Sequence, residues 1–179
     1  MQADQAPDAD AGKEARDTRI LYIDYSKCIG CETCEAVCKF LYARPRIVLV
    51  RTVGGEMLPL YCRHCESPHC SKVCKNRALS IDGQGAVILD PMQCRGCETR
   101  NCILGCPYGG ILASDEGVGV SKCDLCAGRR KSGELPACVE MCPCGAIHYI
   151  ERERIPEIQT EESRQAEERV LAHLRPKKA

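Results

Sequence analysis

Apolar positions along this chain come in short runs broken by turns. Arg19 to Tyr25 (RILYIDY) is the first and predicts a strand. Arg46 to Val53 (RIVLVRTV) is β-branched and stops at Gly54-Gly55, and Met57 to Tyr61 then runs back, which predicts a hairpin. A clearer hairpin follows: Leu79-Ser80-Ile81-Asp82, a turn at Gly83-Gln84-Gly85, then Ala86-Val87-Ile88-Leu89-Asp90. Ala146 to Ile150 (AIHYI) predicts another short strand. Beyond it, residues 151–179 are rich in Glu and Arg, and Ala166, Val170, Leu171 and Leu174 form a narrow apolar stripe at helical spacing. That tail reads either as a surface helix folded onto the body or as a docking helix for a partner. Residues 1–18 are polar, rich in Ala and Asp, without periodicity, and predict a mobile arm.

These runs supply little core. The 179 residues hold no Trp and one Phe, so little aromatic surface is there to bury. Length allows one domain or two small ones. Another source of cohesion is needed, and bound metal provides one where the site forms only in the folded state.

The chain has 17 cysteines, and sixteen of them fall into four blocks. Cys28, Cys31, Cys34 and Cys38 follow C-x2-C-x2-C-x3-C. Cys62, Cys65, Cys70 and Cys74 follow C-x2-C-x4-C-x3-C, as do Cys94, Cys97, Cys102 and Cys106. Cys123, Cys126, Cys138 and Cys142 have a longer middle spacer. Each block opens with C-x2-C and closes with C-x3-C, the spacing of iron–sulfur ligand runs, and four blocks of four are the ligand set for four [4Fe–4S] clusters. A tight loop brings three thiolates to one cluster, and the fourth Cys lies one helical turn beyond the third. In two-cluster ferredoxins that fourth Cys ligates the other cluster, which interlocks the motifs in pairs. Pro107 and Pro143 follow the last Cys of their blocks and stop the helix there. A chain built around such centres moves electrons.

Other metals and chemistries fit less well. Structural zinc also uses C-x2-C pairs, but with a real spacer between two pairs. Cys28 to Cys38 are packed too tightly for that, and C-x3-C-P is not a zinc signature. A C-x3-C-x2-C radical-enzyme trio is absent, and no Gly-rich nucleotide loop or nucleophile–base arrangement stands out. His64 and His69 lie inside the second block, where four Cys already complete the ligand count; both read as supporting or surface residues. Arg63, Lys72, Arg95 and Arg100 flank cysteines and either offset cluster charge or are solvated.

Basic and acidic residues balance at 25 each. Four oxidised clusters at about −2 each would carry the loaded chain to roughly −8. No basic footprint for nucleic acid remains. The first thirty residues contain neither an apolar export core nor an Arg-Arg pair, and no run approaches the length of a membrane span. The expectation is a cytoplasmic chain whose thiols stay reduced until metallated.

Residues 19–150 resemble the four-cluster ferredoxin-like electron-transfer subunits of molybdenum and tungsten pterin oxidoreductases, the small-subunit type of dimethyl sulfoxide reductase, formate dehydrogenase and formate hydrogenlyase. The fourth block carries the resemblance best: Cys123-Asp124-Leu125-Cys126, Arg129, Gly133, Pro136-Ala137-Cys138-Val139 and Cys142-Pro143. Tyr61-Cys62-Arg63-His64-Cys65 and Cys94-Arg95-Gly96-Cys97 are also typical. The resemblance implies four ligand sets. Cys28, Cys31 and Cys34 would join Cys142, and Cys123, Cys126 and Cys138 would join Cys38. Cys62, Cys65 and Cys70 would join Cys106, and Cys94, Cys97 and Cys102 would join Cys74. It also implies a large molybdenum- or tungsten-pterin catalytic partner of aldehyde or formate oxidoreductase type, with onward transfer to a flavin or ferredoxin-type redox subunit. Two departures stand out. Cys74-Lys75-Asn76-Arg77-Ala78 stands where the family often has C-P-x-G-A, and the seventeenth cysteine, Cys144, stands where Thr or Ser is common.

The fold expected is α+β. Residues 19–60 and 107–150 form one ferredoxin-like module, and residues 61–106 form a second, pseudo-symmetric module inserted within it. The chain is read as a non-catalytic electron relay. A free-standing polyferredoxin or hydrogenase-associated carrier is the alternative, and a zinc scaffold the second. Donor and acceptor ends need not be the same surface, which allows self-stacking into a longer wire. The purified protein should be brown with a broad visible shoulder, and stripping its metal should unfold it; absorption spectra, metal analysis and circular dichroism check both, and a colourless zinc-loaded protein would refute the cluster reading.

Overall fold

The computed structural model describes residues 18–52, 55, 57–114 and 119–174. The arm expected at 1–18 lies outside these residues except for Thr18, as do residues 175–179 of the tail. In chain order the elements are β1 (Arg19–Ile23), α1 (Thr33–Tyr42), β2 (Val48–Arg51), β3 (Met57–Leu60), α2 (His69–Lys72), β4 (Leu79–Ile81), β5 (Val87–Leu89), α3 (Pro91–Cys94) and α4 (Asn101–Leu104). Then come β6 (Leu112–Ala113), β7 (Val120–Ser121), α5 (Ala127–Lys131), α6 (Ala137–Glu140), β8 (Ile147–Glu151), a 3-10 turn at Arg152–Arg154, α7 (Ile155–Ile158) and α8 (Glu161–Leu174). The result is a small mixed α/β fold of short strands and helices, compatible with ferredoxin-like domains.

All strand pairs are antiparallel and two-stranded. β2–β3 and β4–β5 are the two hairpins expected from the apolar runs. β6–β7 was not announced by any run, because each strand is only two residues long. β1 pairs with β8, with Arg19 opposite Glu151 and Ile23 opposite Ile147. The strand before the first cysteine block is thereby joined to the strand after the last.

β1 shows why its sequence is a continuous apolar run rather than an alternating one. Ile20, Leu21, Tyr22 and Ile23 are all buried, because both faces of the strand are covered. Leu21 and Ile23 enter the main core with Ile47, Tyr61, Leu79, Val87, Leu125 and several cysteines. On the other side Tyr22 meets α8, where its hydroxyl shares a hydrogen bond with the buried Ser163.

α8 lies on the body. Ala166 and Val170 of its apolar stripe are buried, and Arg63 Nη1 donates to Glu167 Oε1 at 2.8 Å. The same guanidinium stands 4.7 Å from the Tyr61 ring centroid and also flanks Tyr25 and Tyr108. Stacking on aromatic faces and a carboxylate partner suit a half-buried arginine. Arg63 therefore anchors the tail.

Local backbone explains several motif residues. Arg129 bonds the Leu135 carbonyl at 2.8 Å and pairs with Glu134 and Glu140, bracing the loop between α5 and α6. Gly133, at φ +75°, ends α5 in the left-handed conformation that glycine takes without strain. Asp90 caps α3 by accepting from Met92 N at 2.8 Å, with Pro91 at the first helical position. In the departure after Cys74, Arg77 takes φ +53° where the family's glycine would sit, and Asn76 Nδ2 donates to the Gln93 carbonyl at 2.9 Å. A non-glycine residue there costs about 1–2 kcal/mol, set against the added tie to α3.

Val170→Asp should undock α8. The burial lost is worth roughly 1.5–3 kcal/mol. Hydrogen exchange should show the amides of Glu161–Leu174 losing protection while those of β4 and β5 keep theirs.

Candidate metal centres

The cysteines of the four blocks are drawn together across the sequence. Cys28, Cys31, Cys34 and Cys142 line one cavity, walled by Ile23, Leu49, Pro59 and Ile147. Cys38, Cys123, Cys126 and Cys138 line a second, with Leu21, Tyr42, Ile47 and Pro136. Two further groups show in the electrostatics. Burial raises the thiols of Cys65 and Cys70, and the nearby Cys62 and Cys106 raise them further, Cys70 to about 11. Burial raises Cys102, with Cys74, Cys94 and Cys97 adding to it. Each group takes three thiols from one block and the last thiol from another.

Helices explain this sharing. Cys34 and Cys38 sit one turn apart in α1, which starts at Glu32 (φ +61°) and stops at Ala43 (φ +59°). Residues i and i+4 share one helix face, yet these two thiols line different cavities. α1 packs against α6, which carries Cys138 and is followed by Cys142. α2 and α4 repeat the arrangement with Cys70, Cys74, Cys102 and Cys106. Only α1 is long enough to hold both of its cysteines.

The groups are also near one another. Burial pushes the Cys34 thiol up to about 12 and Cys138 well above its ordinary value, and Cys34 is among the neighbours that raise Cys138. Burial likewise raises Cys123, and Cys62 of the third group adds to it. Thiols raised in this way must release protons to bind a metal.

Backbone amides point at several sulfurs. Arg46 N donates to Cys38 Sγ at 3.2 Å, Ala78 N to Cys74 at 3.4 Å, Gly110 N to Cys106 at 3.3 Å and Leu125 N to Cys123 at 3.3 Å. In the second and third blocks the donor is the fourth residue past the last Cys. Gly110 is required there, since a Cβ would stand 2.6 Å from Cys62 Cα and from the Tyr61 carbonyl oxygen. Cys31 and Cys97 occupy equivalent block positions. Cys31 bonds Thr33, which holds its thiol below the usual value; the backbone at Arg100 does so most for Cys97, which also lies near Thr99.

The donor set suits iron–sulfur chemistry. Zinc draws four sulfurs to about 2.3 Å from one point, and among the described residues no three His, Cys, Asp or Glu side chains are gathered to hold a single ion. Here thiols surround a cavity instead. His64 is buried, but its Nδ1 accepts the Val87 N–H at 3.0 Å, and burial followed by Lys122, Arg130 and Arg152 keeps it neutral. His69 is exposed. Neither lines the two thiol cavities. Cys144 does line the first cavity, with Sγ 3.7 Å from Cys142 Sγ.

Two buried cations escaped the sequence reading. Arg130 holds Asp82 at 2.8 Å, Gln84, and the Leu125 carbonyl at 3.0 Å, tying the β4–β5 turn to the fourth block. Lys122, immediately before that block, is also buried. Their only sequence signal was a cation beside an otherwise apolar, cysteine-rich stretch.

Comparison with known proteins agrees with this chemistry. Residues 53–152 match the 4Fe-4S dicluster domain and residues 21–40 a 4Fe-4S binding domain. One component of the anaerobic dimethyl sulfoxide reductase of Escherichia coli (strain K12) is 35% identical over 147 residues, covering 72% of this chain and 71% of its own. A component of the tetrathionate reductase of Salmonella typhimurium is 33% identical over 139 residues, covering 70% of this chain and 55% of its own. Electron transport protein HydN of Escherichia coli (strain K12) is 32% identical over 174 residues, covering 82% of this chain and 95% of its own. These matches set the zinc scaffold aside. The chain belongs to the 4Fe-4S dicluster-domain family and is a non-catalytic iron–sulfur electron-transfer protein, carrying 4Fe-4S clusters, of the dimethyl sulfoxide reductase and HydN type.

Proposed function

We propose that the sixteen block cysteines hold four [4Fe–4S] clusters, in the sets Cys28, Cys31, Cys34, Cys142; Cys123, Cys126, Cys138, Cys38; Cys62, Cys65, Cys70, Cys106; and Cys94, Cys97, Cys102, Cys74. The observation that carries this reading is the gathering of thiols described above, three from one block with the last of another. The pairing of β1 with β8 around the intervening blocks favours two nested modules, 19–60 with 107–150 enclosing 61–106.

Such clusters, when bound, take up and release single electrons. The protein's part is spacing, shielding and tuning. Its thiols run in the order first, second, third, fourth set: Cys34 lies near Cys138, Cys123 near Cys62, and α2 and α4 join the last two sets. The amide donors to Cys38, Cys74, Cys106 and Cys123 spread negative charge off sulfur, which favours reduction. The outer sets hold Cys31, which is exposed, and Cys97; exposed Ile29 stands in the first block and exposed Met92 two residues before the third. Apolar surface beside a redox site suits a dry contact with a partner.

The relay runs between a cytoplasmic molybdenum- or tungsten-pterin catalytic subunit and another carrier. Relatives named as components of reductases support a fixed catalytic partner. A free-standing carrier is the second reading, favoured by the match that spans 95% of HydN, named an electron transport protein. Isolating the native complex separates them: a large pterin-containing subunit should copurify, and recovery of the protein alone at all concentrations supports the second reading.

Four thiols complete each site, which leaves Cys144 as a bystander in the first cavity. Cys144→Ser should leave iron content and every midpoint potential unchanged in redox titration, and loss of one cluster's signal would make Cys144 a ligand.

A further inference from the structure

Lys122 is 2% exposed. Its ammonium donates to the carbonyls of Val87 and Cys123. The other cations around His64 have carboxylates: Arg130 holds Asp82 at 2.8 Å and Arg152 holds Glu66 at 3.1 Å. Among the described residues no carboxylate pairs with Lys122. A buried charge held only by neutral carbonyls is costly unless an anion lies near.

Once deprotonated as cluster ligands, the cysteines of two different sets are the anions within reach. Lys122 directly precedes Cys123 of the second set. The Val87 peptide links it to the third: the Val87 carbonyl accepts from Lys122, while its N–H donates to His64 Nδ1 at 3.0 Å, and His64 stands between Cys62 and Cys65. The electrostatics agree. Burial pushes the Cys123 and Cys70 thiols up, and Lys122 holds both down.

We propose that Lys122 is a potential-setting residue shared by the two middle cluster sites, its fixed charge between Cys123 and the second block raising the reduction potential of both bound clusters. Reduction adds one negative charge to a cluster, and a cation nearby in a low-dielectric interior stabilises the reduced form. The inference rests on the four-cluster reading above. A purely structural role, pinning β5 to the fourth block, would be met by any donor that reaches the two carbonyls.

The test is redox titration of the anaerobically purified holoprotein, followed by electron paramagnetic resonance. Lys122→Gln keeps an N–H donor without the charge, Lys122→Met keeps the length, and Lys122→Arg keeps the charge. Cys31→Ser and Cys97→Ser mark the signals of the two outer clusters. In whichever neutral variant holds the wild-type iron content, both unmarked midpoints should shift negative, the marked ones should stay, and Lys122→Arg should restore wild-type values. Unchanged middle midpoints, or an equal shift of all four, overturn the inference. Neutral variants that both lose iron while Lys122→Arg keeps its iron but shifts both middle midpoints also overturn it; in that case a wild-type titration in Lys122→Arg supports it. Wild-type iron well short of about sixteen per chain overturns the four-cluster reading first, and this inference with it.

Discussion

Thiols that cross between helices are what the rest of this molecule depends on. Cys34 and Cys38 lie one turn apart on α1 yet line different cavities, and so do Cys138 on α6 and Cys142 just beyond its end. The two helices therefore have to pack side by side for either cavity to close. α2 and α4 stand in the same relation. Strands as short as β4 or β6 bring little cohesion of their own, so each acts as a tether that returns the chain to the next helix. Packing and metal binding are then one event, which explains how a chain with one Phe and no Trp has a defined core.

Electrostatics follows from that crowding. Burial first, and then neighbouring thiols, raise the cysteines' affinity for protons, as Cys34 and Cys138 show. The protein answers with amide donors to sulfur and with buried cations. Arg130 and Arg152 come with carboxylate partners, so their charge is spent locally on joining segments. Lys122, beside the second and third sets, has no carboxylate partner among the described residues. Exposed Cys31 and half-buried Cys97 need no such help, because Thr33 stabilises the first and the backbone at Arg100, with Thr99, the second.

Much of this was legible in residues alone. Turn residues flanked by β-branched runs predicted β2–β3 and β4–β5, and cysteine spacing singled out the thiols that the fold gathers. The four-way sharing of thiols required the resemblance, because spacing within a block says nothing about which blocks meet. β6 and β7 were invisible, being two residues each. The apolar stripe of α8 was legible, but the surface it covers was not: Ser163 against Tyr22 and Glu167 against Arg63 join positions far apart in sequence. Arg63 was read through its cysteine neighbours, whereas its environment is three tyrosines and a carboxylate. Lys122 was passed over because a cation beside an apolar, cysteine-rich stretch is too weak a mark of burial to read alone.

The pairing of β1 with β8 has a bearing on biosynthesis. Among the described residues β8 is the last strand to be translated, so β1 emerges from the ribosome long before its partner exists. The four buried residues Ile20 to Ile23 stay uncovered through that interval. The β4–β5 hairpin uses neighbouring residues, and the α2–α4 contact spans far less chain than β1–β8, so both can form while the chain is still growing. Maturation then proceeds from the inside of the sequence outward, and the segment most in need of a chaperone is β1, which waits for β8.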